Sequence, residues 1–178
     1  MKKVYPFITL LFFATVVFSQ VKPAIVTKSS VLFHIKNLGI TIDGTLAGFK
    51  ADIKFDPANL NTSTIEASVD VNTLDTDNGT RNDHLKSDSY FDAAKYPAIT
   101  MKSVSFRHRS GHNYTGVFNL TIKNVTKQVE VPFSYAETGN DGEFKGNFQI
   151  KRTDYGVGGS SLVMSDDVKI DLDITTGK

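Results

Sequence analysis

His84, with Asp83 beside it and Ser87 three residues on, supplies the residue types of a hydrolytic triad. A working triad brings nucleophile, base and orienting acid together at one point, usually from separate elements. Here all three fall within one short predicted helix. No G-x-S-x-G elbow is present, and Gly159-Ser160-Ser161 lacks the closing glycine. Catalysis is therefore not the expected activity. His108 and His112 flank a predicted turn at Ser110-Gly111, and His34 stands alone on a polar strand face, so no metal-ligand spacing emerges. The chain has no cysteine, which removes disulfides, thiolate zinc sites and cysteine nucleophiles together. No cofactor is expected.

Arg81, Asp83 and His84 admit two roles. They can line the mouth of a cavity, where Arg is suited to a bidentate grip on phosphate or carboxylate. They can equally pin a helical insert to its support, Arg81 and His84 lying three apart on one helix face and Asp83 favouring the helix dipole. Arg152 and Asp154 suggest an ion pair near a rim.

The elements that must position these residues are mostly strands. Val31, Phe33 and Ile35 continue an alternation that starts at Ile25, and Asn37-Leu38-Gly39 reads as a turn. A long strand from Ile40 to about Phe55 follows, bent at Gly44 or Gly48. Ile65, Ala67, Val69 and Val71 share one face of the next strand. Thr80 is the expected N-cap of a helix over Arg81 to Ser87, with Asp83 completing a capping box. Ala98 to His108 resumes the strands. Phe118, Leu120 and Ile122 follow on one face, then Val129, Val131, Phe133 and Tyr135, then Phe144, Phe148 and Ile150, then Val168, Ile170, Leu172 and Ile174. Pro132 cannot donate to a ladder and places its strand at an edge or a bulge.

About eight antiparallel strands result, apolar on one side and polar on the other. Such a sheet covers its apolar face by closing on itself. The expected fold is all-β, an eight-stranded antiparallel barrel with a short helical insert. An interior of this size is either filled by side chains or holds one ligand, and periodicity leaves both open. A membrane-spanning barrel shows the same alternation, but no aromatic girdles mark the two strand ends.

The 178 residues suit one domain. Met1-Lys2-Lys3, the apolar run Phe7 to Phe18 and a small residue at Ser19 read as a signal peptide over 1–19, leaving a domain at 20–178. A periplasmic or secreted location follows. Loss of Lys2 and Lys3 turns the net charge from +1 to −1, which gives no case for nucleic acid.

Several motifs resemble the YceI family of lipocalin-like, polyisoprenoid-binding proteins of bacterial envelopes. They begin with Asp75-Thr76, Arg81-x-Asp83-His84-Leu85-x-Ser87-x-x-Tyr90-Phe91-Asp92 and Tyr96-Pro97-x-Ile99-Thr100. Phe33-x-Ile35-Lys36-x-Leu38-Gly39, Ile53-x-Phe55-Asp56-Pro57, Leu120-Thr121-Ile122-x-x-Val125-Thr126-Lys127-x-Val129 and Arg152-x-Asp154-Tyr155-Gly156 keep the family's order. The resemblance implies a lipocalin-like fold whose cavity takes an isoprenoid or other long-chain lipid, with a quinone, alcohol or phosphate head nearer the mouth. One departure is Asn37, where the family usually carries His.

On this reading the wall is expected to be Phe33, Ile35, Phe49, Ile53, Phe55, Val69, Val71, Phe91, Phe118, Phe148 and Tyr155, with Arg81 and His84 at the mouth. Strand parity around Gly44 and Gly48 leaves Phe49, Ile53 and Phe55 open to reversal. Homodimer formation and transient contact with a membrane surface stay open. The competing reading is a packed, non-catalytic barrel acting as an interaction module.

Overall fold

A two-faced antiparallel sheet must bury its apolar side, and the computed structural model shows it curling to do so. Residues 23–177 are described, and the expected signal peptide lies outside them. The strands are β1 (Ile25–Asn37), β2 (Ile40–Thr45), β3 (Lys50–Lys54), β4 (Thr64–Asp70) and β5 (Ala98–Ser110). They continue as β6 (Asn113–Ile122), β7 (Val125–Thr138), β8 (Asp141–Lys151) and β9 (Met164–Gly177). One helix, α1 (Gly79–Lys86), sits between β4 and β5. All nine strands form one antiparallel sheet in the order β2-β1-β9-β8-β7-β6-β5-β4-β3.

The two ends of that order approach each other. The Ala24 N–H donates to the Ile53 carbonyl at 2.8 Å, and Thr45 pairs with Asp75 through two backbone bonds of 2.8 and 3.1 Å. The barrel is thus held at its seam by isolated bridges, without a continuous ladder.

Nine strands replace the expected eight because the stretch from Ile40 to Phe55 is not one bent strand. It forms β2 and β3, which lie at opposite edges of the sheet. Residues 46–49 carry the chain across the seam. Gly48 makes the crossing possible. Its φ is +66°, and a Cβ there would stand 3.0 Å from Asp70 Cβ.

The alternation read from Ile25 also breaks early. The β1–β9 register shifts between Val26 and Lys28, a bulge that reverses facing. Ile25 is consequently exposed and Val26 packs inward. Pro132 is explained by a parting of strands. β7 pairs with β6 from Val125 to Ser134, Thr115↔Pro132 included. It pairs with β8 only from Phe133↔Gly146 onward, so from Val125 to Pro132 its β8 side is an edge. The turn after β8 bridges this gap. Lys127 pairs with Asp154 at 3.3 Å, Lys123 Nζ donates to the Gly156 carbonyl at 3.2 Å, and Tyr155 is buried beneath them.

Candidate functional site

The inward side chains divide into two zones. At one end of the barrel, near the β6, β8 and β9 termini Asn113, Asp141 and Gly177, the interior is solid. Phe55 is its hub. Its ring meets Phe106, Tyr114, Phe133, Tyr135 and Phe144 edge-on, with centroids 5.0 to 5.6 Å apart. Such edge-to-face contacts suit the ring quadrupoles. Burial pushes the Tyr135 hydroxyl pKa up, and its O–H donates to Glu137 at 2.7 Å.

Toward the other end the same inward faces enclose a void of about 250 Å³. Phe33, Ile35, Phe49, Met101, Ile170 and Leu172 line it and are only half-buried although they point inward. Their uncovered area looks onto the void. For comparison, an apolar cavity of roughly 150 Å³ stays dry and takes benzene, and small-molecule pockets start near ~300 Å³.

The segment between β4 and β5 caps this void. Asn78, not Thr80, is the N-cap of α1: its side chain accepts from the Arg81 N–H, and Thr80 lies inside the helix. Asp83 therefore falls beyond the first turn. Leu85, Tyr90 and Phe91 present the cap's apolar face to the void. Arg81 lines it too, held by Thr76: its Nε donates to Thr76 Oγ1 at 2.8 Å and its Nη2 to the Thr76 carbonyl at 2.6 Å. Thr76 in turn donates from N and Oγ1 to Asn82 Oδ1, and Asn82 Nδ2 donates to Asp75 at 2.8 Å. The Asn82 bond, with the Asp77 N–H, holds the Asp75 carboxyl below the usual carboxylate range.

Arg152 joins from the β8 side and is 4% exposed. Its Nη1 donates to the Val157 and Gly159 carbonyls and its Nε to that of Ser165, at 2.9 to 3.0 Å. The expected Arg152–Asp154 pair does not form. Arg152 Nη2 lies 3.0 Å from Asp166, and Asp154 pairs with Lys127, because the tight turn after β8 points the two side chains apart. Nη2 sits at ion-pair distance from Asp166 but outside hydrogen-bond geometry, and so counts with Asn37 Oδ1 as a buried polar atom lacking a hydrogen bond. Asn37 and Arg152 both line the void.

Of the expected wall, Phe33, Ile35, Phe49, Ile53, Val69, Phe91, Phe118 and Phe148 line the cavity, as does Arg81. Phe55 lies in the aromatic floor. Val71 is buried in a turn after β4, its N–H donating to the Pro97 carbonyl. Tyr155 fills the β7–β8 gap. His84 is exposed, its ring 4.8 Å from that of Tyr90, which it backs from outside. The Ser87 hydroxyl donates to the His84 carbonyl at 2.7 Å, so it makes no nucleophile–base contact. Among the lining residues absent from the expected wall are Asn37, Ile42, Leu85, Tyr90, Met101, Ile170 and Leu172. Asn37 carried a signal as the departure from the family resemblance, and Leu85 and Tyr90 as members of the central motif.

The YceI-like domain model matches residues 22–176, nearly all of the chain. The chain belongs to the YceI-like family. A relative, the UPF0312 protein of Yersinia pestis (strain Pestoides F), is 30% identical over 132 residues, covering 70% of this chain and 68% of its own. The crystal structure of Burkholderia cenocepacia BcnA superposes with a TM-score of 0.79 at 29% identity, covering 83% of this chain and 95% of BcnA. A polyisoprenoid binding domain from Saccharophagus degradans shares the fold, with a TM-score of 0.70 at 16% identity, over 89% of this chain and 99% of its own. Asn37 falls on a cavity-lining position.

Proposed function

We propose that this YceI-like protein binds a long-chain isoprenoid or similar amphiphilic lipid in its barrel and carries, stores or sequesters it in the cell envelope, without catalysing a reaction. The observation that carries this reading is the half-buried apolar wall around a void of about 250 Å³. A packed interaction module would have no use for it. The polyisoprenoid-binding name of the Saccharophagus degradans domain supports the same chemistry. The basic start and apolar run of residues 2–18 support a periplasmic or secreted location.

The energetics are sufficient. Each buried methylene contributes about 0.8 kcal/mol, so one five-carbon unit contributes on the order of 3–4 kcal/mol. A few units offset the cost of association and leave roughly micromolar binding. The tail takes the void above Phe55. The head lies under the cap, beside Asn37 Oδ1, since a buried polar atom without a hydrogen bond costs about 1–3 kcal/mol.

Organic extraction of the protein purified from its native host, followed by mass spectrometry, tests the proposal. The expected result is one lipid species near one per protein. Recovery of no stoichiometric lipid overturns it.

A further inference from the structure

Among the described residues six large aliphatic side chains are exposed; Ile25 and Val104 stand singly, and the other four gather at one place. Leu38 is 71% exposed, Ile40 66%, Leu162 fully, and Val163 51%. They come from two tips, the β1–β2 turn and the segment before β9. A backbone bond ties the tips together: the Leu38 N–H donates to the Val163 carbonyl at 2.8 Å. Each tip is also one residue from the cavity wall. Asn37 and Met164, which pair across β1 and β9, both line the void.

The β1–β2 turn is built at some local cost. Asn37 pairs with Ile40, leaving a two-residue loop with φ of +51° at Leu38 and +78° at Gly39. Loops of this hand favour Asn or Asp at the first position. An aliphatic side chain there is held in the left-handed region and gains no burial within the protein. Isolated exposed apolar residues need no explanation, whereas four gathered next to the wall of an apolar cavity do.

We propose that Leu38, Ile40, Leu162 and Val163 form a membrane-docking tip that seats the capped end of the barrel on a phospholipid bilayer, so that an apolar ligand passes between bilayer and cavity without crossing water. This rests on the lipid-binding reading of the cavity. A bilayer is favoured over a second copy of the chain on size. Four aliphatic side chains on two tips fall well short of the roughly 800 Å² per partner that stable protein contacts bury. It is favoured also by position, because the far end of the barrel is closed by the aromatic floor around Phe55. Docking by aliphatic burial is nondirectional and insensitive to salt, unlike attachment through basic residues.

The chain contains no tryptophan, so Leu162→Trp places a single reporter on the tip. Extruded phosphatidylcholine vesicles, with and without phosphatidylglycerol, are the probe. The expected results are a blue shift of Trp emission on adding either vesicle and co-sedimentation that persists at high salt. Leu38→Asp combined with Leu162→Asp is expected to weaken co-sedimentation at least tenfold, with unchanged melting and unchanged extracted lipid. An unshifted emission overturns the proposal. So does a double variant that still sediments with vesicles, or binding that appears only with phosphatidylglycerol and vanishes with salt. Concentration-dependent dimers that the two aspartates dissolve, without vesicle binding, overturn it in favour of a second copy. Extracted lipid read on the same samples separates the two claims: vesicle binding without bound lipid defeats the cavity reading alone, and bound lipid without vesicle binding defeats the docking tip alone.

Discussion

Phe33 stands directly opposite Gly44 in the β1–β2 ladder, and its ring lies over the glycine where a Cβ would otherwise be. The pair shapes the cavity: the missing side chain on β2 is the space into which the β1 ring folds. Gly44→Val is therefore expected to drive the Phe33 ring into the void. Overpacking of this kind costs about 1–3 kcal/mol. Thermal melting should show a folded, weakened protein, and extraction should recover much less lipid than from the parent. Undiminished lipid would mean that the ring does not border the ligand.

Floor and wall should respond differently to truncation. Phe55→Ala removes the ring that five others pack against, and losses of about 3–5 kcal/mol accompany such changes. Ile35→Ala removes a side chain that already faces empty space, so it should cost less, on the order of 1 kcal/mol. Chemical denaturation of both variants, with lipid extracted first, checks this. Equal losses would indicate that the upper interior is packed as tightly as the floor.

Asn37 offers a separation of stability from binding. In the lipid-free protein its Oδ1 is buried without a hydrogen bond, a burden of about 1–3 kcal/mol. Asn37→Leu should leave the lipid-free protein as stable as the parent or more so, while weakening retention of a lipid with a polar head. Melting and competitive displacement by a polyprenol together read the two effects. A variant that loses stability and keeps its affinity would place the residue outside head-group contact.

Acid should loosen the cap. The Asp75 carboxyl titrates below its ordinary range because Asn82 and the Asp77 N–H donate to it. A carboxyl with a depressed folded pKa contributes its full stabilisation above the ordinary range and loses it as pH falls through the folded value. Hydrogen exchange of the α1 amides should accelerate over that acidic window in the parent. Asp75→Asn should expose them faster at neutral pH and flatten the acid response.

Much of this architecture was written in side-chain periodicity. Val31-Phe33-Ile35, Phe118-Leu120-Ile122, Val129 through Tyr135 and Val168 through Ile174 point inward as alternation requires, and Leu38-Gly39 turns where it should. The N-cap was misplaced because Thr80 and Asn78 are both good caps, and only the folded backbone shows which side chain reaches the Arg81 N–H. The partner of Arg152 was missed because Asp166 lies far along the chain and arrives through the β8–β9 pairing.

The sequence alone determined the two-faced strands, the helical insert and the family, because those depend on local order along the chain. Which inward residues touch each other and which face a void was decided only by the tertiary structure. Periodicity states the side of the sheet on which a residue lies, but not what stands across from it. Phe33 and Phe55 share a parity pattern and a residue type. One borders empty space and the other anchors a filled floor, because the curl of the sheet brings five rings against Phe55 and leaves the space beyond Phe33 unfilled.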